Sequence, residues 1–95
     1  MDNDELSGSY KSHIDFNAPA TLRKWPSLGN QRRDEITSPY LVLDGTLDQC
    51  LQKFMAQPAS TRHLYEIHAN PQPPSVNDVL AGETVVELAR FQEFL

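Results

Sequence analysis

The sequence predicts a small α+β fold: a two-layer sandwich in the order β-α-β-β-α, with a three-stranded mixed sheet and two helices packed on one face. A mostly irregular N-terminal arm precedes it. Three observations lead there. Leu47, Cys50, Leu51, Phe54 and Met55 recur at the spacing of a single helical stripe. Residues 61–69 alternate in the period of a strand. The apolar content rises from about 30% over residues 1–37 to about 45% over residues 38–95. The chain therefore divides into a polar arm, residues 1–37, partly or wholly disordered, and a small α+β domain, residues 38–95.

Within the arm two local patterns stand out. Tyr10, Ser12, Ile14 and Phe16 alternate with polar neighbours, as in a half-buried strand. Asn17 then precedes Ala18-Pro19-Ala20, a helix start with proline in its first turn, which Pro26 would end after Trp25. A lone tryptophan in a polar segment needs a surface to pack on, so Trp25 marks where the arm docks.

The patterned region opens at Pro39. Tyr40-Leu41-Val42-Leu43 is a continuous apolar run bounded by Pro39 and by Asp44-Gly45, the mark of a strand buried on both faces. Thr46-Leu47-Asp48-Gln49 has the capping-box form, and Asp48 suits the positive end of the helix dipole. The helix runs until Pro58 stops it. In the alternating stretch, His63, Tyr65, Ile67 and Ala69 share one face and Arg62, Leu64, Glu66 and His68 the other. Asn70-Pro71-Gln72-Pro73-Pro74 is a loop, since proline cannot donate to a ladder. Residues 75–80 read two ways: Val76, Val79 and Leu80 fit a helical turn by spacing, while the Pro-rich loop before them suits a hairpin and favours a short strand returning antiparallel. From Gly82 to Leu95 a second helix buries Val85, Leu88, Ala89, Phe91, Phe94 and Leu95 on a broad face and ends in a fraying last turn. The strand-helix-strand unit implies a right-handed crossover, so the first two strands should run parallel.

The charge balance restricts partners. The net charge is −5. In residues 38–95 only Lys53, Arg62 and Arg90 oppose seven carboxylates, so that unit would repel a phosphate backbone and nucleic acid is excluded as a partner. Arg23, Lys24, Arg32 and Arg33 cluster in the arm but meet Asp34 and Glu35 at once, and read as solvated charge. One cysteine, Cys50, forms no intrachain disulfide, which fits a reducing compartment and points to the cytoplasm. The acidic N-terminus has no signal-peptide pattern, and no apolar run approaches the ~20 residues that span a bilayer.

Candidate chemistry is sparse. Cys50 sits on the apolar stripe, where a thiol is a core residue and not a nucleophile. His63 and His68 are five apart on an alternating stretch and point to opposite faces, so no metal is expected. Asp44-Gly45-Thr46 leaves amides at a helix N-terminus that could hold an anion, but Asp44 and Asp48 favour a turn and cap. The four glycines are scattered, so there is no phosphate loop and no cofactor site.

Two functional readings remain. The first is a small acidic, non-catalytic binding or regulatory module acting through protein-protein contact or self-association, with Trp25, Leu64, Phe94 and Leu95 as contacts. The second is a ligand-binding or enzymatic domain that uses the polar face carrying Arg62, Glu66 and His68.

Overall fold

A computed structural model describes residues 14–29, 31–32, 38–73 and 76–94. The architecture is α+β, with a four-stranded antiparallel sheet and two helices, where three strands in a mixed sheet were expected. The strands are β1 (Pro19–Lys24), β4 (Tyr40–Thr46), β5 (Tyr65–Ala69) and β6 (Val79–Ala81), in the spatial order β4-β1-β5-β6. A small ribbon, β2 (Ser27–Leu28) with β3 (Gln31–Arg32), follows β1 and turns at Gly29, which takes a positive φ of 60°. The helices are α1 (Leu47–Met55) and α2 (Glu83–Glu93), and a 3-10 helix, Ala59–Leu64, precedes β5.

The additional strand comes from the segment expected to be an arm. Residues 19–24 form β1, paired antiparallel with β4 on one side and β5 on the other. The helix expected after Asn17 is thus a strand. Pro19 stands at its first position, where the missing N–H costs least, and Ala20 and Leu22 alternate into the core. The expected parallel direction holds, but the two strands are not neighbours. β4 and β5 are both antiparallel to β1, hence parallel to each other, with β1 between them.

Residues 14–18 are also tied in, though as turn and irregular backbone and not as a strand. The carbonyls of Ala18 and Phe16 accept from the amides of Leu47 and Asp48, two of the donors that a helix N-terminus leaves unsatisfied. Gln72 clamps the same segment, donating to the Asp15 carbonyl and accepting from the Asp15 amide. Ile14 and Phe16 pack on the core. The alternation at residues 10–13 lies outside the described residues.

The helices follow their sequence signals. Thr46 accepts from the Gln49 amide at 3.1 Å and Gln49 reaches back to the Thr46 amide at 3.0 Å, completing the capping box. Leu47, Cys50, Leu51 and Phe54 bury the expected face. In α2, Val85, Leu88 and Ala89 are buried, while Phe94 is 87% exposed beyond the last turn. Leu95 lies outside the described residues. Both helices cover the sheet face that carries Ala20, Leu22, Ile67 and Leu80, and one core joins them.

Two strand readings are corrected. The first strand of the patterned region extends to Thr46 and runs directly into α1, with no turn at Asp44-Gly45. It is not buried on both faces: it forms the sheet's edge, and Tyr40, Leu41 and Val42 are 50%, 51% and 36% exposed. The alternating stretch becomes extended only at Tyr65, because residues 59–64 wind as a 3-10 helix with Pro58 as its N-cap. Of the short strand expected over 75–80 only Val79 and Leu80 are extended, as the start of β6, which runs on to Ala81 antiparallel to β5, while Val76 forms an isolated bridge to Gln72.

Candidate functional site

The sheet face opposite the helices is set by strand parity. Ala20, Leu22, Tyr65 and Ile67 point to the core, so Thr21, Arg23, Glu66 and His68 lie on the open face. Register places Thr21 between Asp44 and His68, and Arg23 between Leu41 and Glu66. A bulge between Leu22 and Arg23 in that register leaves Val42 as the unmatched residue of β4.

Glu66 is the centre of this face. It is the buried charged residue of the described core, 8% exposed. Trp25 donates its indole N–H to Oε1 at 2.9 Å, and His68 Nε2 lies 2.5 Å from Oε2. A carboxylate shielded from water needs such partners. The Trp25 amide also donates to the Leu64 carbonyl, which prolongs the β1-β5 ladder by one bond. Trp25 does dock, and its surface is the sheet to which its own strand belongs.

A depression of about 260 Å³ adjoins this network, bordered by Thr21, Asp44, His68 and Asn70. It combines an imidazole, a carboxylate, a hydroxyl and an amide, a set able to bind a small polar ligand or move a proton. Thr21 was not singled out for this face in the sequence, because its approach to His68 depends on β1 lying between β4 and β5.

Arg62 is not part of the face. It belongs to the 3-10 helix and donates Nη2–H to the Met55 carbonyl at 2.9 Å, placing a cation at the negative end of α1. Leu64 is 2% exposed, a core residue in this chain. His63 lies in the 3-10 helix, exposed, and does not share a strand with His68. The basic cluster also separates: Arg23 lies on the open face, while Lys24 sits with Nζ 5.6 Å from the centre of the Tyr65 ring. Arg33 lies outside the described residues.

Cys50 is fully buried, and desolvation, helped by the negative charge of Asp44, pushes its thiol up to about 11. That is a core cysteine, as its place on the apolar stripe indicated. The amides at the start of α1 are occupied by Phe16 and Ala18, so they do not form an anion site.

On the opposite layer, α1 and α2 border a groove of about 340 Å³. Gln92 crosses it to donate to Asp48 at 2.6 Å. Among the described residues, no helix is long and apolar enough to cross a membrane. No family model, curated protein or solved structure matches the chain.

Proposed function

We propose that the protein is a small acidic, non-catalytic binding module that takes an extended segment of a partner protein along the outer edge of its sheet. The observation that carries this reading is β4. Its outer side is a sheet edge, with backbone donors and acceptors that no strand of the described sheet pairs, and it exposes Tyr40, Leu41 and Val42. Adding a strand there would satisfy the backbone and cover the apolar side chains together. Natural edges resist such pairing with prolines, lysines and bulges. β4 has no proline or lysine within it, its one charge, Asp44, lies away from Tyr40-Leu41, and its bulge falls at Val42, beside that pair.

The acidic balance supports a protein partner over nucleic acid. The single buried cysteine supports a reducing compartment, the cytoplasm.

The test is photo-crosslinking in the source cells, with a photoreactive phenylalanine at Tyr40 and, as control, at exposed Glu87. A discrete adduct from position 40 and not from 87 is expected. No adduct, or the same ladder from both positions, removes the reading.

A ligand-binding or enzymatic use of the open face is favoured by one observation, His68 held by buried Glu66 beside the Asp44-Thr21 depression. It requires a small molecule whose titration moves the NMR signals of Thr21, Asp44 and His68 together. A fragment screen that leaves these signals in place excludes it.

A further inference from the structure

We propose that the groove between α1 and α2 receives a lysine or arginine side chain from a basic, amphipathic partner segment. The inference rests on the reading of the protein as a binding module and assigns its partner a chemistry. The floor is apolar, made by Leu51, Met55 and Ala89. Carboxylates stand at the rim, Asp48 on α1 and Glu93 on α2, and among the described residues no lysine, arginine or histidine lines the groove.

Asp48 decides the sign of the ligand. Its carboxylate accepts from Gln52 at 3.0 and 3.1 Å and from Gln92 at 2.6 Å. Both donors are neutral amides. They fix the carboxylate in place without adding a cation to it, so the only positive charge it meets from its own helix is the partial one at the start of α1. A long cationic side chain suits this arrangement: its methylenes lie on an apolar floor while its charged head meets the rim. Phe94, exposed directly after Glu93, offers a neighbouring apolar contact to a flanking residue of the same segment. Seven carboxylates against three cations in residues 38–95 favour a basic segment over an acidic one.

The test follows backbone amide shifts of the full chain by NMR as a synthetic helical peptide of leucines and lysines is added. The same peptide with glutamate replacing lysine serves as control. Shifts at Leu51, Met55, Ala89 and Gln92 with the lysine peptide alone are expected. Glu93→Lys, at an exposed site that leaves the fold intact, should weaken binding about three- to tenfold, and Glu93→Gln less. Shifts confined to β4 or the open face, or an unchanged affinity in Glu93→Lys, overturn the proposal. Equal affinity for butylammonium alone replaces the partner segment by a simple cation site. Concentration-dependent shifts at the groove without peptide assign it to a second copy of the chain, which also overturns it. A Tyr40 adduct with a silent groove removes this inference and leaves the module; groove binding without an adduct removes β4 as the docking edge and leaves a module that binds through the groove.

Discussion

The Trp25 indole donates to the Glu66 carboxylate at 2.9 Å, a hydrogen bond between residues 41 apart in sequence that joins the end of β1 to the middle of the open face. Replacing Trp25 with phenylalanine keeps much of the ring and removes the donor. A buried carboxylate that loses a donor carries a desolvation cost of about 1–3 kcal/mol. Trp25→Phe should lower the urea midpoint accordingly, and Glu66→Gln in the Trp25→Phe background should recover part of the loss. Equal midpoints for Trp25→Phe and the parent would show that the bond contributes nothing.

The position of β1 makes a stronger prediction. A fragment of residues 38–95 lacks the strand that both β4 and β5 pair with. Its amide spectrum should collapse to random-coil dispersion, and a peptide of residues 14–29 added in trans should restore it. Within the full chain, Leu22→Ala removes a fully buried side chain from the sheet centre and should cost about 2–5 kcal/mol in a denaturant titration. A well-dispersed spectrum from 38–95 alone would contradict the pairing.

Gly45 and Gln49 are coupled. A Cβ at residue 45 would collide with the Gln49 Oε1 that accepts from the Thr46 amide. Gly45→Ala therefore displaces the Gln49 side chain and opens half of the capping box. Gly45→Ala and Gln49→Ala should each destabilise by about 0.5–1 kcal/mol, and the double variant by little more than either alone. Simple additivity in thermal melts would refute the coupling.

Cys50 gives the pH dependence. Its thiol titrates near 11 in the folded chain against an ordinary value of 9.0. Between these values the unfolded chain has released a proton that the folded chain keeps. The unfolded state then binds fewer protons, and stability falls as pH rises. The contribution is fully present below pH 9.0 and lost on passing about 11. Cys50→Ser or Cys50→Ala should flatten this alkaline limb relative to the parent. Labelling of the native chain by a thiol reagent should proceed only as fast as the protein opens.

Features determined by near neighbours were legible in the sequence. The capping box needs only Thr46 and Gln49, and the stripe from Leu47 to Met55 only a helical period. Cys50 follows from that stripe. β1 was obscure because its signal is nonlocal: Thr21 is the one β-branched residue in Pro19–Lys24, and only Ala20 and Leu22 are buried. Tyr40, Leu41 and Val42 mislead for a related reason. A continuous apolar run marks a strand with two covered faces, but whether a strand is central or at an edge depends on residues elsewhere in the chain. The open face was half legible. Glu66 and His68 share it as strand parity requires, while Arg62 leaves it because the extended backbone begins three residues later. The Asp48-Gln92 contact could not be read from sequence, because it depends on how the two helices pack.

β1 also constrains how the chain is made. Its residues leave the ribosome before either neighbour exists: β4 begins sixteen residues beyond its end and β5 forty-one. The strand destined for the middle of the sheet must therefore wait as unfolded chain. The amides of α1 that Phe16 and Ala18 cap are also made later than their caps. Local helix formation can start at α1, but β1 gains its second neighbour only after Ala69 has emerged, so the slowest step is long-range closure on a segment synthesised well before its partners.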